Sequence, residues 1–430
     1  TTLKHLISPI PEFSIVIPTL DNYGDVPVII SAINAQTLTP KEIIIADSSS
    51  LDDIEDGIAQ LQSAVPIKYL RVGRAYLLDR FLYRFFSLPF LSTFRDRFPI
   101  GRAFPYEATN AGSAVAKYTW LAFLDATTIP AENWLEDYWH FLCLHNCDVV
   151  FGKTKYLAST RFQKILRAST YGKLGHETAP GSIIQKVHFL DGNKITEGVR
   201  SGGDVAWKSK IKNSLKYYLP ENSYLTYANL PLSIHSCLKK FFIYQIHGSF
   251  LDIQNNIKDL YLGLSLLLCI IVIPKWNYIV GWESPLFIPH ITKIFFFSCL
   301  LVLAVTFLIN RGLLRSFSKN SFTTNILKAT IFFMVSYSIF RWNALIANWV
   351  EDSIWYIPHI TKIFVIGLFS ASFLYRGIFF PIKNNIELSY LFPWRWVLVG
   401  LLGIILDIIK APGYVLGALL ATFMGRGPMK

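Results

Sequence analysis

Acidic residues are scarce in the last two fifths of this chain: residues 257–430 hold 6 Asp and Glu against 15 Lys and Arg, while residues 1–256 hold 23 against 26. Three quarters of the +12 net charge therefore lies where the sequence is most apolar. That placement argues against a nucleic-acid partner and for membrane topology and anionic lipid. Cysteine is also sparse, at 5 residues, and no spacing suggests pairs, which excludes a disulfide-stapled secreted scaffold. His140, Cys143, His145 and Cys147 cluster on one expected helix, but no second ligand pair stands at the usual spacing, so buried helix contacts are the preferred reading over a metal site. No signal peptide is expected before the first strand, because Lys4, His5 and nearby prolines break up the apolar opening. The chain does not begin with Met, which implies a trimmed start.

What the second part has instead is long apolar runs. Spans are expected near 259–274, 288–309, 326–349, 357–375 and 394–409, followed by a helix at 410–424, since about 20 apolar residues cross a bilayer. The loop 310–328 carries Arg311, Arg315, Lys319 and Lys328 with no acid, whereas 350–356 carries Glu351 and Asp352. By the positive-inside rule the first loop, and with it the N-terminal domain, is cytoplasmic. An internal repeat, Ile288–Phe295 recurring as Ile357–Phe364, suggests a duplicated helix pair. Arg341 either snorkels from its span or binds a lipid phosphate.

The first part alternates apolar strands with helical patterns: strand 13–17, helix 25–36, strand 42–46, helix 52–64, strand 66–72, helix 107–117, strand 119–124, helix 131–146 and strand 148–151. Such βαβ alternation predicts an α/β fold, a Rossmann-like, mostly parallel sheet. Residues 74–99 interrupt it with aromatics, and seven arginines fall between Arg71 and Arg102; this is an interfacial helix or a packed insertion. Three domains result: a sheet domain at 1–235, an amphipathic interfacial linker at 236–256, and a helical membrane domain at 257–430.

Polar residues close the strand-forming runs. Pro18 and Thr19 end the first, Asp47 the second, and Asp125 follows Trp120-Leu-Ala-Phe-Leu124. In an open parallel sheet, ligands sit beyond the carboxyl ends of the strands, so these residues should line one crevice. A further segment, Gly202-Gly-Asp204, leads into a helix.

Four motifs in order, Val16-Ile-Pro-Thr19, Asp47, Ala108-Thr-Asn-Ala-Gly112 with Phe123-Leu-Asp125, and Gly202-Gly-Asp204, resemble those of the inverting family 2 glycosyltransferases, which have the GT-A fold. The resemblance covers residues 13 to about 215. It implies that Pro18, Thr19, Asp47, Asn110 and Gly112 line a nucleotide pocket, with Asp47 bonding the base. It also implies that Asp125, with Thr127 in place of the family's second carboxylate, holds Mg²⁺ or Mn²⁺ against a leaving diphosphate. Asp204 would be the base that takes the acceptor's proton, with helix capping as its competing role. The substrates implied are a nucleotide-sugar donor and a lipid-linked acceptor, such as a polyprenyl phosphate, lipid-linked glycan or glycolipid, and the setting implied is the bacterial inner membrane. Two alternatives remain open: a processive polysaccharide synthase, although no Gln-x-x-Arg-Trp segment follows Asp204, and a degenerate nucleotide-sugar-binding scaffold.

Overall fold

A computed structural model of the chain describes residues 11–20, 23–49, 54–73, 103–251, 253–254, 276–289 and 360–423, with a few helical positions between 261 and 344. The aromatic, arginine-rich stretch at 74–99, the loop 310–328, Ile288–Phe295 in all but its first two residues, and most of the first three expected spans lie outside these residues.

Apolar runs supply the sheet. β1 (Phe13–Thr19), β2 (Glu42–Asp47), β3 (Ile67–Arg71) and β4 (Trp120–Phe123) are joined through α1 (Val26–Asn34), α2 (Ile54–Ala59) and α3 (Pro105–Val115). β5 (Thr128–Pro130), α4 (Trp134–His145), β6 (Val149–Tyr156), α5 (Arg161–Thr170), β7 (His176–Gln185) and α6 (Lys186–Leu190) follow. Then come α7 (Gly203–Ser214), β8 (Tyr217–Tyr218), β9 (Leu225–Tyr227) and α8 (Ile234–Gly248).

The strands form one sheet in the order β3-β2-β1-β4-β7-β6-β9-β5, with β8 beside β6. β3, β2, β1 and β4 run parallel, whereas β7 is antiparallel to β4 and to β6. The sheet is thus mixed but mostly parallel, an α/β architecture. Side chains alternate across it with a period of two. Phe13, Ile15, Ile17, Ile43 and Ile45 pack on one face with α1 and with Trp134, Leu135 and Tyr138 of α4. Val16, Ile44, Leu121 and Phe123 pack on the other with Phe151, Phe189 and Trp207. Burial on both faces explains why these runs are almost continuously apolar.

The parallel half places the polar strand ends together. Thr19 stands opposite Asp47, and Val16 opposite Phe123, so the carboxyl ends of β1, β2 and β4 finish at one edge. β7 departs from the expected alternation. Pro180 and Gly181 sit in its interior, Gly181 has φ +86°, and the β6–β7 register shifts between Val150 and Gly152. A Cβ on Gly152 would collide with the Pro180 backbone, so the bulge is built by paired glycines.

The chain divides into two compact units, one of residues 1–239 with 381–390 and the other of 240–380 with 391–429. In the first, Lys173 donates from its backbone to the Asn384 carbonyl at 3.0 Å and pairs through its side chain with Glu387 at 2.5 Å.

The second unit contains α9 (Trp276–Val280), α10 (Ile360–Leu374), a π-helical turn at Tyr375–Phe379, and α13 (Arg395–Phe423). The short α11 (Phe380–Lys383) and α12 (Leu388–Leu391) fall between the last two in sequence. The expected span at 394–409 and the separate helix at 410–424 are thus one helix, with Pro412 inside it. Its stretch Arg395–Ala418 is long and apolar enough to cross a membrane. Arg376 makes two bonds of 2.6 Å to the Asp407 carboxylate, from Nε and from a terminal nitrogen. Gly403 lets the Arg376 stem approach, since a Cβ there would lie 2.9 Å from that of Arg376.

Candidate active site

Asp125 lies two residues beyond β4. Thr128 fixes the turn: its hydroxyl accepts from the Asp125 N–H at 3.1 Å and donates to the Asp125 carbonyl at 2.9 Å. The Asp125 carboxylate itself is half-buried, and no described donor bonds to it. Burial, together with the nearby charge of Asp204, pushes its pKa up to about 7. That influence puts Asp204 in the neighbourhood of Asp125.

Asp204 occupies the first turn of α7, after Gly202, whose φ of +81° makes the turn into the helix. Its Oδ1 accepts from the Val205 N–H at 2.9 Å and lies 3.4 Å from the Tyr106 hydroxyl, which donates to it. Burial raises the Asp204 pKa, while the Val205 and Asp204 N–H groups, Tyr106 and Lys208 act against that rise. Lys208, one turn along α7, pairs with Glu177 at 2.7 Å. Burial works to raise the Glu177 pKa, but Lys208 outweighs it and the net shift is downward. His176, beside Glu177, is held below its usual value by burial. Helix capping by the Asp204 side chain is limited to the next residue, since Gly202 is the N-cap.

The expected nucleotide-lining residues divide into two groups. Pro18 and Thr19 lie at the end of β1 as the register requires. Asp47 is fully buried, and its Oδ1 accepts from the Thr19 hydroxyl at 2.8 Å and from the Ser49 hydroxyl and N–H at 2.6 and 3.2 Å. Its Oδ2 accepts from the Tyr69 hydroxyl at 3.1 Å and from Arg71 at 2.8 Å. A base contact from Asp47 would have to replace one of these bonds.

Asn110 and Gly112 lie inside their helix, since α3 begins at Pro105, whose fixed φ suits the first helical position. Gly112 faces the sheet, where a Cβ would meet Val16 Cγ1 at 2.6 Å. Asn110 is buried, and its amide bonds Ile195 and Glu197. Gly203 likewise makes room for protein, since a Cβ there would lie 2.5 to 2.9 Å from the Tyr106 ring.

Sequence reasoning missed Tyr106, Glu177 and Lys208. A cation on the same α7 face as Asp204, four residues on, was the available signal for Lys208. Two side chains of α4 have structural partners. Trp134 is buried and donates to the Gly181 carbonyl at 2.9 Å, and His145 stacks on Tyr218 with centroids 4.0 Å apart.

The donor chemistry suits a hard divalent cation. Asp125 supplies a carboxylate that no described donor engages, and Thr127, half-buried, a hydroxyl two residues on. Among the described residues no group of three His, Cys, Asp or Glu converges, so further oxygens would have to come from a ligand and water.

No protein-family profile matches the chain. It is similar to chondroitin synthase from Escherichia coli, 24% identical over 206 residues, which are 48% of this chain and 25% of that one. The match thus spans a quarter of the relative's length. Among solved structures, S. aureus TarS 1-349 in complex with UDP overlays with a TM-score of 0.39 at 14% identity, covering 80% of this chain and 94% of that one. The complex of the same protein with UDP-GlcNAc gives a TM-score of 0.37 at 14% identity, covering 96% and 92%.

Proposed function

We propose that this chain is an inverting glycosyltransferase that moves one sugar from a nucleotide-sugar donor to an acceptor anchored in a membrane. The observation that carries the reading is Asp125 beyond the carboxyl end of β4, with no described donor on its carboxylate, and Asp204 at a helix start in its neighbourhood. The similarity to a chondroitin synthase supports a sugar as the group transferred.

In this reading the acceptor hydroxyl attacks the anomeric carbon from the side opposite the diphosphate. Asp204 accepts the hydroxyl proton, and the nucleoside diphosphate departs with the bonding pair. Asp125 and Thr127 would hold Mg²⁺ or Mn²⁺, which would offset charge on the departing diphosphate. Thr128 keeps Asp125 oriented for that task.

A membrane setting draws support from the second unit. Ile366 and Phe369 on α10, with Leu398, Leu401, Ile405 and Ile408 on α13, are exposed and apolar on helices that carry few charges. With the basic 310–328 loop cytoplasmic, the sheet unit would meet donor on that side. The domain division at 235 and 256 belongs to the same proposal.

The test uses the full chain in detergent with a panel of UDP-sugars, following UDP release with and without Mn²⁺. Asp204→Asn should lower turnover by about 10²- to 10⁴-fold with UDP binding unchanged. Wild-type turnover retained in Asp204→Asn would overturn the assignment. Repeated transfer is the second reading, favoured by the same chondroitin synthase match. Product length decides: one added sugar supports the first reading, a ladder the second.

A further inference from the structure

The segment that delivers Asp204 has no regular structure between Asp191 and Gly202, yet it is closely held. Ile195 is buried in the cluster with Phe123, Phe189 and Trp207, and Val199 is fully buried. Trp207 and Ser214 of α7 bond Asn193, and a second set of polar ties comes from α3. From α3, Asn110 Nδ2 donates to the Ile195 carbonyl at 2.8 Å and to Glu197 Oε1 at 3.1 Å, and its Oδ1 accepts from the Ile195 N–H at 3.1 Å. Glu107 Oε1 accepts from the Gly198 N–H at 2.5 Å. Tyr106 lays its ring over Gly203 and points its hydroxyl at Asp204.

Three side chains of α3 thus grip the chain at 195, 197, 198 and 203–204. An amide with both N–H donors and one of its two oxygen lone pairs taken by protein has little left to offer a nucleotide. Burial of Asn110 keeps those bonds out of competition with water, so each restrains the loop more than an exposed bond would.

We infer that Tyr106, Glu107 and Asn110 are positioning residues, which hold the 195–204 segment and with it the Asp204 carboxylate in place, and that Asn110 does not contact the donor nucleotide. This rests on the reading of Asp204 as the base. Within that reading it places the Asn110 of the Ala108–Gly112 motif on the acceptor side of the chemistry. A loosened loop moves the base and leaves the nucleotide floor at Pro18 and Thr19 in place, so it costs kcat and spares donor affinity.

The experiment reverses the Asn110–Glu197 bond. Asn110→Asp sets two carboxylates against each other, and adding Glu197→Gln restores a donor opposite an acceptor. In the full chain in detergent, Asn110→Asp should lower kcat for UDP release by about 10- to 100-fold, a loss of the size that small misplacements cause. UDP affinity by calorimetry should stay within about twofold, and amide exchange across 194–204 should rise. The double variant should recover part of the kcat and the protection, since the bond to the Ile195 carbonyl stays lost. A parallel loss of UDP affinity would make Asn110 a nucleotide ligand and overturn the inference. So would a double variant no better than the single, or exchange at 194–204 that stays at the wild-type level. If the wild type neither binds UDP nor releases it from any donor, the functional reading falls, and exchange across 194–204 alone then decides whether the clamp exists.

Discussion

Arg71 donates to Asp47 across the ends of β3 and β2 at 2.8 Å, with the carboxylate wholly out of solvent and the guanidinium partly in it. Thr19, Ser49 and Tyr69 complete the shell of that carboxylate. Removing its charge leaves several donors buried around a weaker acceptor. Asp47→Asn should therefore destabilise the sheet unit by about 3 kcal/mol, read as a lower denaturant midpoint. An unchanged midpoint would show that the shell contributes nothing to stability.

Asp125 gives the protein a pH dependence of defined sign. Its folded pKa of about 7 stands above the ordinary value of 3.8, so the folded state binds the extra proton between those limits. Stability from this group is present at low pH and lost as pH rises through that window. Asp125→Asn should accordingly raise the melting temperature more at pH 8 than at pH 5. Equal gains at both pH values would contradict a raised Asp125 pKa.

The same titration governs the cation. A carboxyl must lose its proton before it can serve as a ligand, so Mn²⁺ with UDP should raise the melting temperature of wild type more at pH 8 than at pH 5.5. In Asp125→Asn that increment should be largely lost at both values. A full increment in the variant would place the ion elsewhere.

Gly112 holds α3 against the sheet. A methyl group there meets Val16 Cγ1 at 2.6 Å, too close for ordinary packing. The better helix propensity of alanine offsets about 1 kcal/mol, while overpacking costs about 1–3 kcal/mol. Gly112→Ala should lower the melting temperature, and pairing it with Val16→Ala should recover part of the loss.

The parallel half of the sheet was legible because β1, β2 and β4 are apolar on both faces and end in polar residues. β7 was not: its first half, His176-Glu-Thr, is polar, and Pro180-Gly181 reads as a break where the fold uses a bulge. Asp125 and Asp204 could be picked out as residue types after strands and before helices. The use of Asn110 could not, since its partners lie 85 and 87 residues further on and nothing local to α3 marks them. The helix was expected over 107–117 and begins at Pro105, because proline at the first position serves as the start signal.

Arg376 and Asp407 each bring a full charge to an apolar helical region, and each cancels the other from a neighbouring element. Were this unit to lie in a membrane, as proposed, neither element would be a self-sufficient passenger into hydrocarbon: taken singly, one would drag in a guanidinium and the other a carboxylate. In the proposed membrane setting the two would enter as a neutral couple, which would make the order and timing of their synthesis and insertion a condition for this part of the chain to assemble.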